Sequence, residues 1–225
     1  MTRHIAVIPA RLGSVGLPGK NRLFFDATAD FIAAQGWFAR TVVSTDDPAV
    51  REKALARRFD VRDRPADLAG PAVSIKAVFA DLIAAAAIAD DDILWLFYLP
   101  VLYKNAVDFA RARAAAEEPG VRSVISFVPA KSHPYSCWRW DEHEKRLSQY
   151  VANDVFRRQD MPPAWMTYHY TCCFRADELP NLNSELVGPA TRPIFLDAAT
   201  AAGLIEVDTP EDLARWRAAQ EKASR

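Results

Sequence analysis

Arg11, Lys20 and Arg22 frame three glycines, Gly13, Gly16 and Gly19, along "IPARLGSVGLPGKNR". Glycines at these positions let a backbone take positive φ and come close to a ligand. Exposed amide groups of such a loop form an anion-binding concavity. Arginine can grip a phosphate through two parallel hydrogen bonds, and lysine adds a point charge. Fixed cations at both ends of a glycine-rich loop therefore suit a polyphosphate. The loop is neither GxxxxGK[ST] nor GxGxxG, since Gly13 is followed only six residues later by Gly19-Lys20 and then Asn21.

A polyphosphate calls for hard oxygen ligands to a bridging cation. "IEVDTPEDL" offers Glu206 and Asp208 at i, i+2. On a strand this spacing puts both carboxylates on one face. Read locally, Asp208 reads better as a cap of the helix begun by Thr209-Pro210. Asp46 and Asp47 precede Pro48 and read better as helix caps. His133 before proline and His169 between Tyr168 and Tyr170 read as structural. No Ser/His/Asp spacing supports a nucleophilic triad.

These groups need elements to hold them. "HIAVIP" is a short apolar run ended by Pro9 and reads as a buried strand that delivers the loop. "ATADFIAAQGWF" reads as a helix, "RTVVST" as a strand, "PAVREKALARRF" as a helix with Pro48 in its first turn. "SIKAVFADLIAAAAIA" reads as a helix with Ser74 near its start. "DDILWLFYLP", the helix "AVDFARARAAAEE" and the strand "VRSVISFVPA" follow. Strands alternating with helices predict an α/β domain, a mostly parallel sheet covered on both faces. Ligands of such sheets bind at the carboxyl ends of the strands, where the loop lies. Beyond about residue 130 the pattern changes. "HPYSCWRWDEHEKRLSQYV" looks like a hairpin turning at Asp141–Lys145, "AWMTYHYTCCFRA" like a strand, and "GLIEVDTPEDLARWRAAQEKA" like a strand and an exposed helix.

Composition narrows the class. The chain has 225 residues, of which 50% are hydrophobic and 25% charged, with a net charge of -1. This predicts one domain over 1–225 with a sizeable core and no basic field for nucleic acid. Cys137, Cys172 and Cys173 lack metal spacing and read as reduced thiols. The N-terminus has too short an apolar run for a signal peptide, and no stretch is long enough to span a membrane. A soluble cytoplasmic protein is the expectation.

"IPARLGSVGLPGKN" resembles the first motif, close to IPARxGSKGxxxKN, of the sugar-activating cytidylyltransferases that make CMP-sialic acid and its relatives. The resemblance continues, in order, through "VVSTDDPAVREKALA", "DRPADLAG", "SVISFVPAKSHPY", "RRQDMPPAW" and "IEVDTPEDL". It implies a three-layer αβα, Rossmann-like nucleotide-diphospho-sugar transferase fold. It implies attack by a nonulosonic, 2-keto acid sugar on the α-phosphate of CTP, with Mg2+, giving a CMP-sugar and pyrophosphate. By the same resemblance Arg11, Ser14, Gly16, Lys20 and Asn21 would hold the nucleotide, and Arg64 and Ser74 would frame its cytidine. Arg11, Lys20 and Asp208 would carry the chemistry, with Asp208 and Glu206 as metal ligands. Arg158 and Gln159 would face the acid sugar, and an insertion at 131–165 would support a homodimer, with Trp138 and Trp140 available for it.

Three departures mark this member. Val15 stands where relatives have lysine, a loss that would cost ten- to a hundredfold in rate if that lysine acts in the transition state. "LFYLPVLY" replaces LQPTSPLR, so polar positions fall on Phe97, Leu99, Pro100 and Tyr103, and sugar-side polar contacts are expected to give way to apolar surface. The first crossover is short. Two further readings therefore stay open beside an active enzyme: a non-catalytic nucleotide- or sugar-binding homologue and, more remotely, a nucleotide-sugar-dependent glycosyltransferase.

Overall fold

The computed structural model describes residues 2–14 and 16–223. Its first half is strands β1 (His4–Ala10), β2 (Arg40–Thr45), β3 (Asp60–Asp63) and β4 (Ile93–Leu96) with helices α1 (Lys20–Gln35), α2 (Pro48–Ala56) and α3 (Ile75–Ala85) between them. Helix α4 (Ala106–Glu117), strand β5 (Ser123–Pro129) and a small hairpin, β6 (Trp138–Asp141) and β7 (Arg146–Gln149), follow. Strands β8 (Trp165–Arg175) and β9 (Thr191–Phe195) and helices α5 (Ala198–Gly203) and α6 (Pro210–Ala223) complete the order.

Seven strands form one sheet in the order β3-β2-β1-β4-β8-β5-β9. Pairs β1–β2, β2–β3, β1–β4 and β5–β9 are parallel, and β8 runs antiparallel between β4 and β5. The expected mostly parallel sheet is present, and period-2 alternation explains how both faces are covered. On β1, Ala6, Ile8 and Ala10 join one cluster with Phe25 of α1, Val50 of α2 and Phe109 of α4. Ile5 and Val7 point the other way, against Val78, Phe79 and Leu82 of α3. Three layers, helix–sheet–helix, result.

Four sequence expectations are corrected. Helix α1 begins at Lys20, seven residues earlier than "ATADFIAAQGWF" suggests, because Gly19 in the left-handed region (φ 73°) turns the chain straight from the glycine loop into the helix. Strand β3, "DVRD", was not read from sequence, and neither was β9, "TRPIF". Both are edges of the sheet, where charge and a proline are tolerated because one side of the ladder is unpaired. "GLIEVD" forms no strand: Glu206 makes a single antiparallel bridge to Val101, and the Val207 amide donates to the Pro100 carbonyl at 3.0 Å. The hairpin expected around "WRWDEHEKRLSQ" is there, pairing Trp138 with Gln149 through Asp141 with Arg146.

Candidate functional site

Strand order reverses between β1 and β4, which creates a crevice at their carboxyl ends. A cavity of about 290 Å³ occupies it, and Arg11, Ser14, Lys20, Asn21, Glu206 and Asp208 line it with Arg64 and Tyr98. Residues nearly two hundred positions apart in the sequence thus meet in one pocket.

The loop after β1 is built from the backbone outward. The Asn21 side-chain amide donates to the Arg11 carbonyl at 2.8 Å, and the Leu12 amide donates to Asp46 Oδ1 at 2.7 Å. Gly19 supplies no side-chain cap to α1, and the Lys20 amide instead donates to the Leu17 carbonyl at 3.2 Å. Gly16 packs where a Cβ would lie 2.4 Å from the Asp208 carbonyl oxygen. Only a residue without a side chain permits that approach. Val15 lies outside the described residues.

Lys20 Nζ donates to Asp208 Oδ1, joining the first loop to the last. Asp208 is free for this because it does not cap α6. Thr209 Oγ1 accepts the Asp212 amide at 3.1 Å while Asp212 Oδ2 accepts the Thr209 amide, also at 3.1 Å, and the pair closes that helix end reciprocally. Glu206 is exposed at the cleft, and desolvation by its surroundings first, then the neighbouring charge of Asp208, pushes its carboxyl above the usual range.

Arg64 is buried, with Nε 3.1 Å from Ser44 Oγ and a terminal nitrogen 2.9 Å from the Ser44 carbonyl. Desolvation lowers its pKa, against the charge of Asp46. Among the described residues this buried guanidinium is bound by one hydroxyl and one carbonyl, which leaves donors for a ligand. Asp47, by contrast, is spent on structure: Oδ1 accepts the Ala49 amide at 2.9 Å and Oδ2 pairs with Arg22 Nε at 2.6 Å. Arg22, a possible loop cation in the sequence, is thereby taken away from the cavity.

A second cavity, about 420 Å³, shares Val73, Ile75, Tyr98 and Glu206 with the first. Ser74 caps α3 by accepting the Ala77 amide at 3.2 Å, and lines this second cavity rather than the first. Strand β8 brings Thr167, Tyr168 and His169 to it. A register shift against Ile125/Ser126 bulges β8 here, and the Thr171 amide then bonds Ser126 Oγ at 3.2 Å. Bulges re-aim side chains in this way. The Tyr168 hydroxyl is buried with no partner among the described residues. Tyr98, Tyr168 and Glu185 were not read from sequence as site residues, and no local pattern marks them.

Arg158 and Gln159 sit on an exposed 3-10 turn, Arg158–Asp160, and line neither cavity. His133 and His169 are both tied to carbonyls, Nε2 to Pro162 at 2.8 Å and to Glu185 at 3.1 Å. Phe97 is corrected as a site position: it is 1% exposed and stacks on Phe109 at 5.3 Å, so it belongs to the core. Tyr103 lies outside both cavities, and of the altered stretch only Leu99 and Pro100, with Tyr98, face the first.

As a candidate metal site, two carboxylates face the cleft. Among the described residues no cluster of three or more His, Cys, Asp or Glu is placed to hold an ion. Beside them the Tyr168 hydroxyl is buried with no partner among the described residues, and burial first, then the charges of Glu206 and Asp208, pushes it above its usual range. Two carboxylates fit a cation that takes its remaining oxygens from substrate phosphates.

Comparison with solved structures decides the architecture. A CMP:2-keto-3-deoxy-manno-octonic acid synthetase in complex with CTP superposes with TM-score 0.69 at 18% identity, over 99% of this chain and 100% of that one. The chain has that fold. A 4-diphosphocytidyl-2C-methyl-D-erythritol synthase from Anaerococcus prevotii matches with TM-score 0.63 at 10% identity, over 98% and 99%. A 2-C-methyl-D-erythritol 4-phosphate cytidylyltransferase from Francisella tularensis gives 0.60 at 12%, over 96% and 99%. In sequence, N-acylneuraminate cytidylyltransferases of Streptococcus agalactiae serotypes V and III are 27% identical over 171 residues, 72% of this chain. The chain covers 41% of the length of those curated relatives. No family model matches.

Proposed function

We propose that the chain is a CTP-dependent cytidylyltransferase that activates a sugar, giving a CMP-sugar and pyrophosphate. The observation that carries this is the first cavity, where Arg11, Lys20 and Arg64 meet Glu206 and Asp208 at the switch point of the sheet. Its relatives in sequence and in fold are named for cytidylyl transfer, which supports the same reading.

Arg11, Lys20 and the first turn of α1 would hold the triphosphate, and Ser14 and Asn21 would keep the loop shaped around it. Arg64, fixed by Ser44, would reach the nucleoside. The acceptor enters through the second cavity and presents a hydroxyl to the α-phosphate. One phosphorus–oxygen bond forms to the acceptor oxygen, the bond to the β-phosphate oxygen breaks, and the hydroxyl proton is released. In-line positioning and charge neutralisation are the contributions such a reaction asks of the protein. Mg2+ would be held by Asp208 and Glu206 with phosphate oxygens and would supply Lewis-acid neutralisation of the leaving pyrophosphate. Lys20 must then leave Asp208 for a phosphate. We also propose a cytoplasmic location, in keeping with CTP as co-substrate.

We also propose a homodimer through the 131–165 insertion. Trp138, Leu147, Tyr150 and Phe156 are exposed there, Phe156 at 96%. Such a patch rimmed by charge marks an association surface.

A non-catalytic binder is the second reading, favoured by Leu99 and Pro100 in the cavity wall where relatives carry polar groups. Titration calorimetry with CTP, paired with pyrophosphate release across a sugar panel, separates the two. Binding with turnover supports the enzyme; binding without turnover for any sugar supports the binder; no binding contradicts both.

A further inference from the structure

The two cavities differ in charge. Arg11, Lys20 and Arg64 all line the first, whereas among the described residues no lysine or arginine lines the second. Two carboxylates line the second, Glu206 on the wall shared with the first and Glu185 beside Ser184. His169 does not offset them. Its ring stacks on Tyr98 at 5.7 Å and its Nε2 faces the Glu185 carbonyl at 3.1 Å and the Glu185 carboxylate at 3.9 Å. Any positive charge on that ring is answered by Glu185.

The remaining lining is made for hydroxyl groups. Thr167 and Ser184 contribute hydroxyls, and the Tyr168 hydroxyl is buried with no partner among the described residues. A buried polar group without a partner costs stability unless a ligand or water completes it. The Tyr98–His169 stack gives a flat face for the C–H side of a sugar ring. Arg158 and Gln159, the groups that would have met an acid, are exposed on a turn outside this cavity.

We propose that the acceptor bound in this second cavity is a polyhydroxylated sugar that carries no carboxylate, with Glu185 as the residue that rejects acids. This rests on the cytidylyltransferase reading above. With Glu206 engaged by the cation, a carboxylate brought to this cavity still meets the like charge of Glu185, and no lysine or arginine among the described lining residues offsets it, which lowers affinity.

The test uses the full chain with CTP and Mg2+ and two matched probes, N-acetylneuraminic acid and its carboxamide, which differ in charge at one group. Calorimetry should show the carboxamide binding at least tenfold more tightly than the acid, and Glu185→Arg should invert that order while the melting temperature stays unchanged. Equal or tighter binding of the acid to the native chain overturns the proposal; if Arg158→Ala then abolishes acid binding, the missing cation sits on the insertion. Binding of neither probe by a chain that binds CTP also overturns it and leaves the cytidylyltransferase reading standing. Absence of CTP binding brings down both.

Discussion

Lys20 and Asp208, 188 positions apart, are paired at the mouth of the crevice, and the pair ties the glycine loop to the segment that ends the domain core. Lys20 opens α1 directly after the glycine loop, so its side chain is aimed by the helix start. Asp208 is aimed by the clamp of Val207 on Pro100. Nucleotide and cation are expected to take over this pair, the lysine going to phosphate and the carboxylate to metal.

Removing either member should therefore hurt turnover more than folding. Lys20→Ala and Asp208→Asn are each expected to lower pyrophosphate release about a hundredfold or more, the scale of a lost transition-state contact. Thermal melts should shift little, since Asp208 is half exposed and the pair is worth about 1 kcal/mol at most. A large melting shift with normal turnover would contradict the assignment.

Gly16 and Gly13 make a paired test. Alanine at Gly16 would press its Cβ against the Asp208 carbonyl oxygen, whereas at Gly13 it meets nothing within 4 Å. Gly16→Ala should push the loop off Asp208 and weaken CTP binding about tenfold or more; Gly13→Ala should leave calorimetric affinity nearly unchanged. Equal effects from both would show that the close approach is irrelevant.

Arg64→Met exchanges a buried guanidinium for an apolar chain of similar length. It leaves Ser44 Oγ and the Ser44 carbonyl without their donors. Loss of these bonds should cost about 1–3 kcal/mol in urea unfolding, and CTP binding should fall with it. Full CTP affinity in a folded Arg64→Met protein would remove Arg64 from the nucleotide site.

Lys104 predicts a pH dependence. Burial lowers its pKa from 10.5 to about 8, and among the described residues its ammonium is held by the Val101 carbonyl at 2.5 Å. The unfolded chain then binds more protons than the native one between about pH 8 and 10.5, so this group makes stability rise with pH across that window. Lys104→Met should stabilise the protein at pH 7 by up to about 3 kcal/mol and flatten the slope. A slope that persists in the variant would assign it elsewhere.

For the proposed dimer, Trp138→Glu together with Phe156→Glu should halve the sedimentation mass while the fold, read by far-UV circular dichroism, is retained. An unchanged mass would place any association elsewhere.

Much of this architecture was legible in the sequence because it is local. "HIAVIP" and "RTVVST" are short apolar runs bounded by breakers, and Ser74 and Asp47 are caps whose side chains bond their own helix starts. The edge strands were hidden by their position: Asp60, Asp63 and Pro193 are tolerated where one side of the ladder is unpaired. The start of α1 was hidden because Gly19 caps through backbone conformation, without a side-chain signal. Arg11, Ser14, Lys20, Asn21, Arg64, Glu206 and Asp208 could be named from sequence, and all line one cavity. What could not be read was which altered positions face the ligand. Phe97 looked like a lost polar contact, yet strand alternation turns it into the core. Tyr168 and Glu185 looked ordinary, because only the bulge in β8 and the loop after it bring them to the second cavity.

The most direct measurement is pyrophosphate release from CTP and Mg2+ by the native chain in the presence of sugars with and without a carboxylate. Sugar-dependent release that falls about a hundredfold in Asp208→Asn is the expected result. No release with any sugar, from a folded chain that binds CTP, would contradict the catalytic reading.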